Sequence, residues 1–257
     1  MPPTAPTFAA GLRPASVIIP TLNEVRLIEP LLTRLRGTCD RLGLGLVVTD
    51  GGSTDGTLAI ARRLADQVVV HPGQDRQTIA AGRNAGAAVA QGRVLLFFNA
   101  DVTLPSDLDA FLVELIAAAD RAGAATCRVA VAPGEARLDD RVVLGACNAL
   151  FAAMNRVGLG MGRGECHAVR RDTFDAVGGY REDYAAGEDF DLYHRIAARQ
   201  RAAGGPRVAF LWHRVVHEDP RRYRARGYAR TMLDWFRNTV SVTFRNRSFS
   251  QEWESVR

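Results

Sequence analysis

The 257-residue sequence contains no lysine, so all 33 of its basic residues are arginine. It also lacks any run of about 18 apolar residues, and we therefore predict that no segment spans a bilayer. The N-terminus has no basic start followed by an apolar run, which argues against a secretory signal. The missing lysine by itself favours no function.

Cysteine is scarce, and the four cysteines, Cys39, Cys127, Cys147 and Cys166, form no CxxC pair. This wide spacing excludes the common zinc-binding patterns and argues against a disulfide framework. We therefore predict reduced, mostly buried thiols. A cytoplasmic location fits both the thiols and the missing signal.

The composition is that of an ordinary globular protein, with 47% apolar and 24% charged residues. The length allows one substantial core, and we expect a single domain over residues 1–257. Charge is uneven, because the segment Arg195–Arg257 has 14 arginines against five acidic residues, whereas the preceding residues carry 19 arginines against 23 acidic ones. A basic C-terminal quarter is typical of contact with a diphosphate, a membrane surface or a polyanion, although a solvated arginine-rich surface is the ordinary alternative.

Apolar runs alternate with amphipathic stretches through residues 1–130, a pattern typical of strands and helices that alternate over a parallel sheet. The predicted strands are Ser16–Ile19, Leu44–Thr49, Gln67–His71 and Val94–Phe98. The predicted helices are Glu24–Arg36, Thr54–Leu64, Gln77–Gln91 and a helix that runs from an N-cap at Ser106 to about Arg121. We predict an α/β fold with a mainly parallel, Rossmann-like sheet flanked by helices.

Residues 131–220 are less regular, and residues 221–257 form a basic, aromatic extension. In these segments we predict helices at Asp139–Val157, Asp172–Val177 and Glu188–Gln200, strands at Glu165–Arg170 and Val208–Trp212, and a flexible loop at Gly158–Gly164. A last helix, Tyr228–Phe244, is predicted from an apolar stripe at Leu233, Phe236, Val240 and Phe244.

Polar residues follow three of the four strands predicted in the first half. They are Pro20, Thr21, Asn23 and Glu24 after the first strand, Asp50 after the second, and Asn99 and Asp101 after the fourth. Because ligands bind beyond the carboxyl ends of strands in open parallel sheets, these residues are candidates for a nucleotide site. Each signal alone is weak, since Asp-Gly turns and helix caps are common, but three of them coincide.

Three charged residues suit the parts of a nucleotide. Asp50 can accept hydrogen bonds from a base or a ribose, and Arg83 can neutralise phosphates. Asp101 offers a hard carboxylate oxygen of the kind that Mg²⁺ or Mn²⁺ prefers. A helix cap is the structural alternative for Asp101, but Pro105 separates it from the next predicted helix.

Three acidic residues, Glu188, Asp189 and Asp191, open a predicted helix. They suit the helix dipole, so a purely structural role is a real alternative. The functional interpretation is that one carboxylate is a general base that removes a proton from a hydroxyl group. The helical spacing places Glu188 and Asp191 on one face and points Asp189 elsewhere.

Several segments, in this order along the chain, resemble the motifs of family 2 glycosyltransferases: Val17–Glu24, Val48–Thr57, Arg83–Gly86, Leu96–Asp101, Val169–Tyr180 and Gly187–Asp189. The resemblance covers roughly residues 15–218. It implies a GT-A fold with an acceptor-side extension, a nucleoside-diphosphate sugar donor, a divalent metal and inversion at the anomeric carbon. Residues 1–130 would be the nucleotide-sugar-binding half and residues 131–220 the acceptor and catalytic half.

The resemblance also implies roles for single residues. Thr21 and Asp50 would hold the nucleoside, and Arg83 would offset the charge of the diphosphate. The metal would be bound by Asp101 and by a late histidine, for which His217 is preferred over His213. Asp189 would be the general base, with Glu188 beside it positioning the acceptor.

The sequence departs from the family pattern at three places. The DxD region has Asn99 in place of its first carboxylate, and Gly51 stands where many members have a second aspartate. Leu22 replaces an aromatic residue, so base stacking is lost there. A UDP-sugar is the favoured donor, and neither the sugar nor the acceptor is fixed.

Other functions have weaker support. Gly158–Gly164 superficially resembles a dinucleotide loop, but no strand precedes it, which argues against a dehydrogenase. A nucleotidyltransferase would want a glycine-rich, basic loop after the first strand. Asn99 keeps open a non-catalytic nucleotide- or sugar-binding protein with a degenerate GT-A site.

The C-terminal extension also leaves alternatives. Trp235, Phe236, Phe244, Phe249 and Trp253 are interleaved with arginines. A peripheral helix at the inner membrane face would suit a lipid-linked acceptor, and a polysaccharide acceptor is equally open. Core packing or a homodimer interface is preferred, and no nucleic acid is expected because no recognition motif accompanies the charge.

Overall fold

The computed structural model describes residues 13–73, 76–184 and 186–245. Within these ranges eight strands form one sheet in the order β3-β2-β1-β4-β7-β6-β8-β5. The strands are β1 (Arg13–Thr21), β2 (Gly45–Asp50), β3 (Gln67–Val70), β4 (Gly92–Phe98), β5 (Val102–Thr103), β6 (Ala124–Ala130), β7 (Cys166–Arg170) and β8 (Ala209–Glu218). The helices are α1 (Val25–Leu42), α2 (Thr57–Leu64), α3 (Ile79–Val89), α4 (Leu108–Ala122), α5 (Leu138–Arg156), α6 (Arg171–Ala176), α7 (Glu188–Ala202), α8 (Arg221–Arg226) and α9 (Tyr228–Arg245).

The first half of the sheet is parallel, as the alternating pattern predicts. β1 pairs in parallel with both β2 and β4, and β2 pairs in parallel with β3. β7 lies antiparallel between β4 and β6, while β8 runs parallel to β6 and antiparallel to β5. The prediction of an α/β fold with a mainly parallel sheet flanked by helices is confirmed.

Both faces of the central strands are buried, so the strands read as continuous apolar runs. Alternate residues face opposite sides of the sheet. One side packs against α1 and α4 through Val17, Ile19, Leu46, Val48, Leu96 and Phe98. The other side packs against α3 and α7 through Ile18, Val47, Leu95 and Phe97.

The second half of the sheet differs from the prediction. β6 was not predicted, because its small and polar residues lack an apolar run. β8 continues to Glu218 instead of ending at Trp212, since Arg214 binds Glu114 and Asp107 on and beside α4 and so keeps a charged stretch in the strand. The predicted cap at Ser106 is wrong, because α4 begins at Leu108 with Asp107 in the cap position.

Candidate active site

A cavity of about 560 Å³ lies where β1 and β4 end and α7 begins. The structure therefore gathers the ends of separate predicted motifs at one place. Of the predicted site residues, the cavity is lined by Pro20, Thr21, Glu24, Arg83, Asn99, Asp101, Glu188 and Asp189. Asn23, Asp50 and His217 are not among its lining residues.

One end of the cavity is formed by the ends of β1 and β2. Thr21 and Asp50 are in register on these neighbouring strands. The Oδ1 atom of the fully buried Asp50 accepts hydrogen bonds from the backbone N–H groups of Gly52 and Ser53 at 2.9 and 2.7 Å. Within the described residues, Asp50 Oδ2 and Thr21 Oγ1 have no hydrogen-bond partner. Buried polar atoms are rarely left in this state, and since Thr21 lines the cavity whereas Asp50 does not, the Thr21 hydroxyl favours a ligand that forms a hydrogen bond there.

Asn23 positions the loops at this end of the cavity. It adopts a left-handed backbone conformation with φ of 54°, which asparagine tolerates better than most residues. Its backbone N–H donates to Ser53 Oγ at 2.8 Å, and its Oδ1 accepts from the N–H of Thr54 at 2.7 Å. Asn23 thus ties the loop after β1 to the loop after β2.

A charged cluster forms a second part of the cavity wall. The Arg221 guanidinium donates to Glu24 Oε1 at 2.6 Å and to Asp101 Oδ2 at 3.1 Å. Burial raises the pKa of Asp101, Arg221 opposes this shift, and the charge of Glu24 adds to it. The backbone N–H of Asp219 donates to the carbonyl oxygen of Asp101 at 3.3 Å, which fixes the loop after β8 beside this carboxylate.

These residues fit a divalent cation in one limited way. The described part of the chain has no group of three or more His, Cys, Asp or Glu side chains that could hold a metal ion. The Arg221 guanidinium pairs with both Glu24 and Asp101, so these two carboxylates already hold one positive charge. Mg²⁺ commonly binds to only one or two carboxylates together with substrate phosphates and water, so Asp101 could hold it with a diphosphate present.

Neither of the predicted histidine ligands is among the residues that line the cavity. Glu218 lines the cavity, and because side chains alternate along a strand, the neighbouring His217 faces the other side of β8. His213 is exposed and pairs with Glu114 at 2.6 Å. Glu218 and Asp219, which follow His217 in the chain, line the cavity, and metal binding by His217 stays a prediction.

Arg83 forms the buried centre of the site. Its guanidinium is fully buried and donates to Glu188 Oε1 at 2.9 Å, to Asn99 Oδ1 at 3.0 Å and to the carbonyl oxygen of Gly164 at 2.8 Å. Gly86 allows α3 to lie this close to β1, because a Cβ atom there would be 2.5 Å from a methyl group of Ile18. Asn99, at the predicted DxD position, thus holds an arginine.

Glu188 and Asp189 begin α7, after Gly187 in a left-handed conformation. Burial, together with the charge of Asp189, raises the pKa of Glu188 to about 7, although Arg83 opposes the shift. Burial also raises the pKa of Asp189, again against Arg83. Asp191 lies apart from them and pairs with Arg195 at 2.6 Å, so it supports the helix.

Gly164, in the loop before β7, lies against Asp189 and Arg83. A Cβ atom on Gly164 would lie 3.2 Å from Asp189 Oδ2 and 3.3 Å from Arg83 Nη2. The small residue lets the loop reach the buried charges. The loop and the Asp189 carboxylate therefore lie side by side in the cavity wall.

The sequence analysis missed several residues of the site. They come from the glycine-rich loop, the end of β8, α8 and α9, and include Arg163, Glu165, Glu218, Arg221 and Trp235. Two signals could have indicated some of them. Arg163 stands between two glycines, and Glu218 and Asp219 directly follow the predicted histidine.

The C-terminal helix contributes one of its aromatic residues to the site. Trp235 lines the cavity, whereas Leu233 and Phe236 are 46% and 66% exposed. Phe249 and Trp253 lie outside the described residues, as do the side chains of Val240 and Phe244. Among the helices described, none has the length and apolar character needed to cross a membrane.

Comparison with known proteins identifies the family. The model of the family described as "Glycosyl transferase family 2" matches residues 16–178. The succinoglycan biosynthesis protein ExoA of Rhizobium meliloti is 33% identical over 193 residues, which are 70% of this chain and 57% of that protein. A PGL/p-HBAD biosynthesis glycosyltransferase of Mycobacterium tuberculosis is 39% identical over 94 residues, 35% of this chain and 36% of that protein. The chain thus spans little more than half of the first relative and about a third of the second.

Solved structures show the same fold. The mannosyltransferase PcManGT from Pyrobaculum calidifontis, in complex with GDP-Man and Mn²⁺, superposes with a TM-score of 0.60 at 24% identity, over 86% of this chain and 64% of that one. Glucosyl-3-phosphoglycerate synthase from Mycobacterium tuberculosis, with Mn²⁺, UDP and phosphoglyceric acid, superposes with a TM-score of 0.62 at 18% identity, over 91% of this chain and 78% of that one. The predicted GT-A fold is confirmed, and the family match over most of the chain shows that this protein belongs to glycosyltransferase family 2.

Proposed function

We propose that the protein transfers a sugar from a nucleoside-diphosphate sugar to a hydroxyl group of an acceptor, with inversion at the anomeric carbon. The observation that carries this proposal is that Thr21, Asp101 and Asp189 line one cavity. An unsatisfied oxygen for a nucleoside, a carboxylate for a cation and a carboxylate with a raised pKa are the parts that such a transfer requires. Family membership supports the same reaction class.

In this reaction, the acceptor oxygen attacks the anomeric carbon and its proton passes to Asp189. The bond from the anomeric carbon to the diphosphate oxygen breaks, and the nucleoside diphosphate leaves with the electron pair. One displacement of this kind inverts the configuration. Raised basicity suits Asp189 to the task, because a general base works best when its pKa lies near the working pH.

A divalent metal, Mn²⁺ or Mg²⁺, would supply positive charge to the departing diphosphate when bound. Asp101 would hold it, and Glu24 would keep the surroundings negative. Arg221 pairs with both Glu24 and Asp101 in this structure. When the metal is bound, its guanidinium would instead donate to the phosphates of the donor. Arg83 acts on the diphosphate only indirectly, because Glu188 already balances its charge.

Calorimetric titration with UDP and with GDP, in Mn²⁺ and in EDTA, tests this proposal. We expect one of them, with UDP favoured, to bind in Mn²⁺ and to bind at least about ten-fold more weakly in EDTA. Asp101→Asn should reduce the Mn²⁺-dependent gain, because an amide is a poorer ligand than a carboxylate for a hard cation. The two neighbouring structures contain GDP-Man and UDP, so both nucleotides belong in the test.

The matched control is Asp175→Asn, which changes an exposed aspartate on α6 in the same way. It should bind nucleotide as the wild type does. Absence of nucleotide binding by the wild type in Mn²⁺ would contradict the donor site. Binding without any transfer to any acceptor would favour the non-catalytic alternative that Asn99 raises.

The pH dependence of transfer gives a second test. A base acts in its ionised form, so activity should fall as the pH falls through the pKa of Asp189, which burial raises above the ordinary aspartate value. Arg83→Met removes the cation that opposes this rise, so the pKa of Asp189 should rise further. We expect the acid limb of the kcat profile to move to higher pH by about one unit or more. An acid limb that does not move in this variant would argue against Asp189 as the base.

A further inference from the structure

One side of α5, here called its outer face, is apolar and exposed. The large side chains of this face are 78%, 61%, 55% and 64% exposed, in the order Leu138, Val142, Leu150 and Val157. Its small residues are also exposed, and they are Gly145, Ala146, Ala149 and Ala153. With about 3.6 residues per turn, all these positions fall within about 140° of the helix circumference. A contiguous apolar face of this kind is typical of a surface that binds a partner.

The opposite side of α5 supports the active site. Phe151 lines the cavity, and Asn155 exchanges two hydrogen bonds with the backbone of Met161 in the glycine-rich loop, at 2.9 and 2.7 Å. Near the start of the helix, the buried Asp140 accepts hydrogen bonds from the Tyr228 hydroxyl at 2.6 Å and from Arg224 at 2.8 Å. A partner on the outer face therefore contacts α5 without covering the cavity.

Gly145 lies near the middle of the outer face. A Cβ atom there would have no atom of the described chain within 4 Å, so packing within the chain does not require a glycine. Glycine inside a helix is also less stable than alanine. Its advantage is that it lets a second backbone approach closely. The position therefore favours a partner that packs directly against the backbone of α5.

The outer face is complementary to itself when two copies of α5 run antiparallel. Ala146 of one copy can be placed opposite Ala149 of the other. This register fixes the remaining pairs across the contact, which are Leu150 with Gly145, Val142 with Ala153, and Leu138 with Val157. Each pair occurs twice, because a two-fold axis makes the contact isologous. Near the centre large side chains thus meet small ones, as closely packed helices require.

The charges of α5 favour the same direction. Asp139 lies in the first turn of the helix and Arg156 in the last turn, and both are exposed. In the register given above, Asp139 of each copy lies at the level of Arg156 of the other, so opposite charges meet at both ends. Parallel helices would instead bring like charges together and align the two helix dipoles. Arg141 lies on the other side of the helix from Asp139, outside the outer face.

We infer that the protein forms a two-fold symmetric dimer in which the outer faces of two α5 helices pack antiparallel, with Ala146 of each copy opposite Ala149 of the other. The exposed apolar side chains become buried in this contact, and Gly145 makes room for Leu150 of the second copy. Each copy keeps its own cavity, because the cavity lies on the opposite side of α5. The inference does not depend on the proposed glycosyl transfer.

Sedimentation velocity of the full chain tests the dimer. We expect a reversible monomer–dimer equilibrium with a Kd of about 1–50 µM, since one pair of helices is a small interface. Val142→Arg buries two charges in the contact and should weaken association by about ten-fold or more. Gly145→Gln should weaken association to a similar extent, although glutamine favours a helix more than glycine does and should raise the unfolding temperature of the monomer.

Matched variants control for charge and position. Val113→Arg changes an exposed valine on α4 in the same way as Val142→Arg and should leave association unchanged. Asp139→Arg and Arg156→Asp should each weaken association about three- to ten-fold, because each creates two contacts between like charges. A mixture of these two variants should form a heterodimer as tight as the wild-type dimer, since both contacts then join opposite charges.

A wild type that stays monomeric at about 100 µM would overturn the inference. A dimer that Val142→Arg and Gly145→Gln leave intact would also overturn it, because the contact would then lie elsewhere. Flotation with vesicles of phosphatidylcholine and phosphatidylglycerol gives a further check: vesicle binding that Val142→Arg abolishes would mean that a lipid surface covers the outer face instead of a second copy. Circular dichroism checks the fold of each variant, and should Val142→Arg fail to fold, Gly145→Gln decides.

Discussion

Asp189→Asn should lower the kcat of glycosyl transfer by about 10²- to 10⁴-fold, the range that a general base contributes. The amide keeps the shape of the carboxylate but cannot take up the acceptor proton. Since Thr21 and Asp101, rather than Asp189, are the residues proposed to hold the nucleoside and the cation, nucleotide binding should change by no more than about two-fold. Steady-state transfer rates and calorimetry measure the two quantities on the same preparation.

Asp175→Asn is again the control and should transfer at the wild-type rate. Glu188→Gln should have a smaller effect on kcat than Asp189→Asn, because Glu188 binds Arg83 and does not itself take up the acceptor proton in the proposed reaction. A rate for Asp189→Asn within ten-fold of the wild type would exclude Asp189 as the base. The reverse ranking would assign that role to Glu188.

The fold of the first half of the chain could be predicted from sequence because its signals are local. Buried parallel strands need continuous apolar runs, and the polar residues that end them stand next to those runs in the chain. Thr21 and Asp101 therefore lie in the cavity where the pattern predicts them. The start of α7 could also be predicted, because Glu188 and Asp189 form an acidic cluster at the beginning of an amphipathic stretch.

The rest of the site depends on contacts distant in sequence. Arg221 meets Glu24 across 197 residues, and neither position carries a pattern that indicates the pair. His217 and Glu218 are neighbours in β8 and therefore point to opposite faces of the sheet. The charged residues within that strand hide from the sequence both where it ends and which of its residues face the cavity. Arg163 stands in a glycine-rich loop whose course is decided by its packing on Tyr193, where a Cβ atom on Gly162 would lie 2.4 Å from the ring.

Arg83→Met should lower the free energy of unfolding by about 3–5 kcal/mol at a pH above 7, the cost of removing one partner from a buried ion pair. The variant leaves Glu188 buried beside Asp189 without its guanidinium, and it also loses the contacts to Asn99 and Gly164. Urea unfolding followed by tryptophan fluorescence measures the loss. Arg93→Met, which removes an exposed ion pair to Asp120, should cost less than about 1 kcal/mol.

The loss caused by Arg83→Met should itself depend on pH. Glu188 has a native pKa of about 7 against an ordinary value of 4.5, so its protonation favours the native state, and this stability is lost as the pH rises through the native pKa. Without Arg83 that pKa rises further, so at about pH 5 the buried carboxyl is neutral and the variant should lose less stability than at about pH 8. The double variant Arg83→Met/Glu188→Gln removes the uncompensated charge and should recover part of the loss at about pH 8. An equal loss at both pH values with no recovery in the double variant would mean that Arg83 stabilises the site by packing, and that the charge of Glu188 is balanced elsewhere.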